Sequence, residues 1–231
     1  MRDDTMTEDK HSGSSPEPLL TIIPNGLLEA NCYIVTCPHT RQAIVVDPGS
    51  EPERILAAIA ETASHVARIV HTHGHFDHIA ATEAVMAGLP AHVPIAAHPA
   101  DAYLYERAAR EMGAGFGYLL PETLAQPDEE LRDCGELRVG DLSLEVIATP
   151  GHTPGSVSLR CGDWWILTGD TLFRRGIGRT DLPGGNEEAI YESILTRLYP
   201  LPGPLTVYPG HGPETTIEQE RRLNPFVQAG T

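Results

Sequence analysis

Short apolar runs rich in β-branched residues alternate with helical patterns along the chain from Leu19 onward. Gly, Pro or Asn bounds these runs, which is typical of strands. The runs predict strands at 19–23, 32–36, 43–46, 68–71, 94–97, 142–148, 156–161, 164–168 and 205–208. Helical spacing predicts helices at 52–62, 77–87, 99–111, 186–198 and 213–223. Because the alternation occurs in two similar halves, the sequence predicts an α/β fold with sheets covered by helices.

The segment 72–78 places three histidines and one aspartate within seven positions, directly after an apolar run. These residues are His73, His75, Asp77 and His78. A neutral imidazole binds borderline metals well, and a carboxylate adds an anionic oxygen. Histidines two positions apart can point at one ion, whereas Asp77 and His78 begin the next predicted helix and can face a second ion. The alternative is a histidine-rich surface loop, which the surrounding pattern disfavours.

Three further candidate ligands lie far downstream, and each follows a predicted strand. His152, Asp170 and His211 each follow a glycine, which allows the chain to turn sharply after the strand. Binding sites of α/β proteins usually form where strands end and loops begin. With the first motif this makes seven candidate ligands, more than one tetrahedral zinc requires, so the sequence predicts a site for two ions.

The length of 231 residues predicts one folded domain preceded by a short tail. Residues 1–18 are polar and lack apolar periodicity, so they are predicted to be a disordered tail. Residues 19–231 are predicted to form the domain. Within it, segment 113–135 has little periodicity, and a lid over the site and a variable surface loop are equally good interpretations.

The composition argues against several classes of partner. A formal net charge of −16 repels phosphate backbones, so no nucleic-acid partner is expected. No apolar stretch reaches membrane-spanning length and the N-terminus lacks an apolar signal core, so no membrane partner is expected. The four cysteines form no C-x-x-C pair and are expected to be reduced thiols, which favours a cytoplasmic protein. The sequence does not predict an oligomeric state.

The order and spacing of the candidate ligands resemble the metallo-β-lactamase superfamily, with H-x-H-x-D-H first and then His, Asp and His. The resemblance covers about residues 19–227, and it implies a four-layer αββα sandwich of two similar halves. It also implies two sets of metal ligands: His73, His75 and His152 for one ion, and Asp77, His78 and His211 for the other. Asp170 would bridge the two ions, and Asp47, in an Asp-Pro-Gly turn, would have a structural role.

Within the superfamily, segments 176–185, 210–217 and 224–226 resemble short bacterial glyoxalase II-like hydrolases. This resemblance implies hydrolysis of a small thioester of the hydroxyacylglutathione type by a hydroxide that bridges two divalent cations. Zinc is the expected metal, with iron or manganese as alternatives, because the same ligands accept all three. Asp77 and Asp170 are the candidate catalytic residues, since Asp77 can orient the hydroxide and carry a proton. The C-terminal helical region with which longer relatives hold glutathione is missing, which leaves the natural thioester open.

Arg179, in the segment Gly-Arg-Thr-Asp, is a candidate for binding a carboxylate of the substrate. The competing interpretation is a salt bridge between Arg179 and Asp181, which we favour because the two residues are close in sequence and in a polar turn.

Two other activities fit the same pattern. Persulfide dioxygenases share this fold and bind a single iron through residues that match His73, His152 and Asp170. A lactonase would apply the hydrolytic chemistry to a cyclic ester. The form of segment 210–216, Gly-His-Gly-Pro-Glu-Thr-Thr, favours a hydrolase. A binding protein without activity is disfavoured, because all seven candidate ligands are present.

Overall fold

Two six-stranded sheets form the centre of the structure, a computed structural model that describes residues 16–118, 120 and 124–228. The first sheet contains, in spatial order, β1 (Leu19–Asn25), β2 (Ala30–Thr36), β3 (Gln42–Val46), β4 (His65–Val70), β5 (Ile95–Ala97) and β6 (Glu129–Glu130). Pairing is antiparallel from β1 to β3 and parallel from β3 to β6. The parallel part places the carboxyl ends of its strands at one edge.

The second sheet comes from the other half of the chain. Its strands are β7 (Glu136–Val139), β8 (Leu142–Ala148), β9 (Val157–Cys161), β10 (Trp165–Gly169), β13 (Thr206–Pro209) and β14 (Thr215–Thr216). Their spatial order is β14-β13-β10-β9-β8-β7, and only the β10–β13 pairing is parallel. Strands β11 (Leu172–Phe173) and β12 (Gly176–Ile177) form a small separate pair.

Short helices cover the outer faces of the sheets. They are α1 (Pro52–Glu61), α2 (Phe76–Ile79), α3 (Thr82–Gly88), α4 (Ala109–Gly115), α5 (Glu187–Ser193) and α6 (Ile217–Leu223). A 3-10 turn spans Pro99–Asp101, and π-helical segments span Leu104–Ala108 and Ile194–Leu198. No helix in the described part of the chain is both long and apolar enough to cross a membrane.

The core has three layers of apolar contacts, as strand alternation dictates. In β2 and β3, Val35 and Ile44 pack between the two sheets, whereas their neighbours Ile34 and Val45 pack outward beneath α1 and α3. A corresponding outer layer lies between the second sheet and α5 and α6, with Ile166 at its centre. The order helix, sheet, sheet, helix confirms the predicted four-layer αββα sandwich of two halves.

Three predicted helices are wrong in their limits. The predicted helix 77–87 is two helices, α2 and α3, with a break at residues 80–81. The predicted helix 99–111 consists of the 3-10 turn, a π-helical segment and the start of α4. The predicted helix 213–223 begins only at Ile217, because Thr215 and Thr216 pair with β13 and the Thr216 hydroxyl accepts a hydrogen bond from the Gln219 N–H.

The sequence patterns also missed five strands: β6, β7, β11, β12 and β14. Each has two to four residues, so periodicity has too few positions to register them. Tertiary pairing stabilises such strands, which is why only the folded chain reveals them. Apart from residues 16–18, the predicted N-terminal tail lies outside the described residues.

Candidate metal centre

The seven candidate ligands lie at one edge of the two sheets, because each follows the carboxyl end of a strand. Segment 72–78 follows β4, and the later ligands follow β8, β10 and β13: His152, Asp170 and His211. Two backbone hydrogen bonds join the sheets at this edge, from the Val157 N–H to the Thr72 carbonyl and from the Asn31 N–H to the Gly210 carbonyl. The structure thus brings together all seven side chains that the sequence singled out.

His73, His75 and His152 form the histidine cluster, in which one nitrogen of each ring lies within 4.8 Å of the others. His75 Nδ1 and His152 Nε2 are 2.8 Å apart. His73 Nε2 is buried without a hydrogen-bond partner among the described residues. Burial, reinforced by neighbouring histidines, holds the pKa of His73 well below its usual range, and burial with His152 nearby lowers the pKa of His75 to about 3. Neutral imidazoles with converging lone pairs suit a cation.

Asp77, His78 and His211 form the mixed cluster. His211 Nε2 lies 3.3 Å from both Asp77 Oδ2 and His78 Nε2. Burial favours neutral His78, but Asp170, Asp77 and Asp47 outweigh it and raise the pKa of His78 to about 10. Burial raises the pKa of Asp77, but His78 and His211 lower it by more. The net pKa of Asp77 lies below its usual range, so this carboxylate is ionised. The mixed cluster therefore attracts positive charge.

Asp170 lies between the two clusters. Its Oδ2 is 3.4 Å from His152 Nε2 and 3.5 Å from His211 Nε2, and its Oδ1 is 3.5 Å from His78 Nε2. Oδ1 is buried and has no hydrogen bond within the described chain. A Cβ at Gly210 would come within 2.0 Å of this oxygen, so the glycine allows the close approach. One carboxylate thus reaches nitrogens of both clusters, and the whole arrangement suits a binuclear metal site.

Acceptors around the clusters orient the imidazoles. His152 Nδ1 donates to the Arg179 carbonyl at 2.8 Å and His211 Nδ1 donates to the Leu28 carbonyl at 2.9 Å, which leaves each Nε2 free to face the centre. Asp47 Oδ2 lies 3.0 Å from His78 Nδ1 and serves the third ring in the same way. Asp47, His73 and His78 also bring ligand-type atoms within 4.8 Å of one another, so the structural role of Asp47 stays a prediction.

His71 contacts Tyr105 and Thr82 rather than the clusters. Its Nδ1 is 2.8 Å from the Tyr105 hydroxyl and its Nε2 is 2.9 Å from the Thr82 hydroxyl. Burial lowers the pKa of His71 to about 4, so the ring is neutral. This histidine is a buried packing residue next to the motif.

Sequence reasoning missed Asp101 and Asn31. The Asp101 carboxylate, in the 3-10 turn after β5, accepts hydrogen bonds from the loops 73–75 and 152–155. The Asn31 side chain donates to the carbonyls of Pro209 and Gly212, on either side of His211. No sequence signal marks either residue, because the partners lie between 27 and 181 positions away.

A cavity of about 350 Å³ opens onto both clusters. Its apolar lining consists of Leu28, Phe76, Met112, Phe116, Phe173, Ile177 and Leu182. Phe116 belongs to the segment 113–135, so the front of that segment borders the cavity, while residues 119 and 121–123 lie outside the described part. A lid formed by this segment stays a prediction.

Arg179 also lines the cavity, but Asp181 neutralises its charge. Arg179 Nε and one terminal nitrogen each lie 2.7 Å from a carboxylate oxygen of Asp181. The salt bridge is the interpretation that the sequence favoured, and it leaves the backbone carbonyl of Arg179 as the group in contact with His152. A role for Arg179 in binding substrate stays a prediction.

The Metallo-beta-lactamase superfamily is the family whose sequence pattern matches this chain, over residues 25–211. A probable metallo-hydrolase of Bacillus subtilis, YqgX, is 37% identical over 206 residues, which cover 89% of this chain and 95% of YqgX. The hydroxyacylglutathione hydrolase GloC of Haemophilus influenzae is 35% identical over 213 residues, which cover 91% of this chain and 98% of GloC.

Solved structures with the same fold carry different names. The BLEG-1 B3 metallo-beta-lactamase is 34% identical with a TM-score of 0.83, covering 90% of this chain and 99% of BLEG-1. TTHA1623 in a di-iron-bound form is 36% identical with a TM-score of 0.80, covering 90% of this chain and all of TTHA1623. ETHE1 from Myxococcus xanthus is 31% identical with a TM-score of 0.75, covering 90% of this chain and 83% of ETHE1.

Proposed function

The chain belongs to the metallo-beta-lactamase superfamily, and from that premise we propose that it hydrolyses a small thioester with the help of two divalent cations. The position of Asp170 carries the proposal, because this carboxylate lies within 3.5 Å of nitrogens in both clusters. A shared carboxylate is typical of sites that hold two ions at the distance needed for hydrolysis. The similarity to the hydroxyacylglutathione hydrolase GloC supports a thioester of that type as the substrate.

Each cluster would hold one cation: His73, His75 and His152 the first, and Asp77, His78 and His211 the second, with Asp170 shared. We propose zinc, which suits imidazole and carboxylate ligands, and retain iron and manganese as alternatives. The di-iron form of TTHA1623 supports iron as the main alternative. When bound, two adjacent cations lower the pKa of a shared water and stabilise negative charge on a carbonyl oxygen.

The chain's own groups orient the reactants. Asp77 borders the cavity, and its lowered pKa keeps it ionised, so it can accept a hydrogen bond from water and orient that water toward a carbonyl. The apolar lining, with Phe116 and Phe173 on the rim, would pack against the arms of the thioester and exclude bulk water. No serine or cysteine nucleophile is needed.

The test combines metal analysis with two assays on purified full-length protein. We expect two metal ions per chain and hydrolysis of S-lactoylglutathione, measured by loss of thioester absorbance. Consumption of oxygen with glutathione persulfide at one iron per chain would contradict the proposal. A panel of simple lactones included in the same assay tests the lactonase alternative.

A persulfide dioxygenase is the second candidate, because ETHE1 shares 31% identity and the fold. That activity would need one iron, held by residues matching His73, His152 and Asp170. The substitution His211→Ala separates the two candidates, since it removes a ligand of the second cation only. A two-metal hydrolase should lose its activity, whereas a one-iron dioxygenase should retain most of it.

The cellular setting is part of the proposal. Cys32, Cys37, Cys134 and Cys161 are all free thiols, which fits a reducing compartment, so we propose that the enzyme acts in the cytoplasm. A small thioester is the proposed partner, and neither a nucleic acid nor a membrane is part of the proposal. Fractionation of the native host with an antibody against the chain checks the compartment.

A further inference from the structure

A buried carboxylate outside the two clusters binds the loop that carries His73 and His75. Asp101 is 1% exposed and lies at the end of the 3-10 turn after β5. Its Oδ2 accepts a hydrogen bond from the Gly74 N–H at 2.9 Å. Gly74 separates the two histidines, so this bond fixes the backbone at the point from which both side chains project.

The same carboxylate binds the loop that follows His152. Oδ2 accepts a second bond from the Thr153 hydroxyl at 2.8 Å, and Oδ1 accepts a bond from the Gly155 N–H at 2.7 Å. A Cβ at Gly155 would come within 2.6 Å of the Asp101 carboxyl carbon, so the glycine permits the close approach. Asp101 therefore joins a loop of the first half to a loop of the second half.

A carboxylate suits this position for a specific reason. Bonds from neutral donors to a charged oxygen are about twice as strong as neutral ones, which helps to offset the cost of burying the charge. Three donors converge on two oxygens, and both oxygens must accept. An asparagine amide offers one accepting oxygen and would set its NH₂ group against a donor.

We propose that Asp101 is a positioning residue that holds His75 and His152 at the separation at which they share one cation. These rings face each other at 2.8 Å between Nδ1 and Nε2. Asp101 acts through Gly74, Thr153 and Gly155, and it sets the affinity of the histidine cluster without serving as a ligand. The inference rests on the proposed function only in requiring that this cluster bind a cation.

The test is the substitution Asp101→Asn, measured by competition of Zn²⁺ and Co²⁺ against a chelator and by the visible spectrum of the Co²⁺ protein. We expect affinity at one of the two binding steps to fall by about 10- to 100-fold, with the other step unchanged. His152→Ala identifies the step that belongs to the histidine cluster, because that step disappears. The Co²⁺ bands of the same step should shift in Asp101→Asn.

Three variants control for a purely structural effect. Thr153→Val removes one donor and should weaken the same step, whereas Thr153→Ser keeps the hydroxyl and should restore it. Asp128→Asn alters a carboxylate that accepts a backbone bond from Ile95 at 3.0 Å, outside the ligand loops, and should bind both ions as the unchanged protein does. Far-UV circular dichroism and thermal melting in the presence of chelator report the folding of each variant. Should Asp101→Asn fail to fold, the comparison of Thr153→Val with Thr153→Ser tests the proposal instead.

Three results would overturn the proposal. The first two are unchanged affinity at both steps in folded Asp101→Asn and equal weakening of both steps. The third is a loss of metal affinity at the histidine cluster that is as large in Thr153→Ser as in Thr153→Val. When the unchanged protein binds two ions, these results count against the role of Asp101 and leave the proposed function standing. Failure of the unchanged protein to bind any ion would instead remove the proposed function and, with it, this inference.

Discussion

The histidine cluster and the mixed cluster lie side by side, but their surroundings shift the pKa values of their histidines in opposite directions. In the histidine cluster, burial and mutual repulsion keep His73 and His75 neutral. In the mixed cluster, surrounding carboxylates raise the pKa values of His78 and His211 against the effect of burial. One cluster therefore offers lone pairs, and the other offers negative charge.

The two clusters are also anchored differently. The side chains of the histidine cluster are at most 3% exposed, and a carboxylate ties their loops together. In the mixed cluster, the His211 side chain is 25% exposed, and its Nδ1 bonds to the carbonyl of Leu28 in the β1–β2 turn. The histidine cluster is therefore enclosed, whereas the mixed cluster has one candidate ligand, His211, that is open to solvent.

Removal of Asp170 should have the largest effect, because it is the group common to both clusters. Asp170→Ala should lower kcat/KM by about a thousandfold or more, since each ion contributes several kcal/mol to charge stabilisation. Metal content per chain, measured by mass spectrometry, should fall for both ions. Retention of one tightly bound ion would show that the clusters are independent.

Removing one histidine from each cluster should separate the two sites. His152→Ala takes one of three imidazoles from a buried cluster, whereas water can replace the partly exposed ring in His211→Ala. We expect both to lose about a hundredfold or more in activity, with the larger loss of metal affinity in His152→Ala. Chelator competition measures that affinity. A larger loss of metal affinity in His211→Ala would contradict this expected order.

Changing the acceptor behind one ring should affect the mixed cluster more than the histidine cluster, to which Asp47 is linked only through the Thr72 hydroxyl, 3.1 Å from His73 Nδ1. Asp47→Asn removes the charge beside His78 Nδ1 and should weaken metal binding there by about 10- to 100-fold. Asp133→Asn is the matched control: Asp47 accepts the Thr72 backbone N–H and Asp133 accepts that of Ala148, but Asp133 lies outside both clusters. Weakening of both clusters to the same extent in Asp47→Asn would contradict this prediction.

The smallest effect is expected at Arg179, where the backbone rather than the side chain contacts a cluster. Arg179→Gln breaks a solvent-exposed salt bridge, which contributes little to stability, and leaves the carbonyl that accepts from His152. KM should rise by less than about fivefold, and metal content should not change. A much larger rise in KM would show that the guanidinium leaves Asp181 and binds the substrate.

Several parts of the molecule could be predicted from the sequence because their signals are local. The long strands β2 and β8 have enough apolar positions to show their period, and the candidate ligands His152, Asp170 and His211 each follow a strand with a glycine directly before them. The break between α2 and α3 and the late start of α6 could not be predicted, since tertiary pairing and capping override helix propensity there.

The sequence alone specified the chemical types of the seven candidate ligands and their placement after strand ends, because residue identity and strand periodicity are properties of short segments. The tertiary structure decided what only the resemblance had implied, namely which ligands share a cluster and that Asp170 lies between the clusters. It alone showed that Asn31 and Asp101 bond to the loops that carry the ligands. The physical reason is that these contacts join loops from two sheets. Their distances are set by the packing of the whole core and not by any one segment.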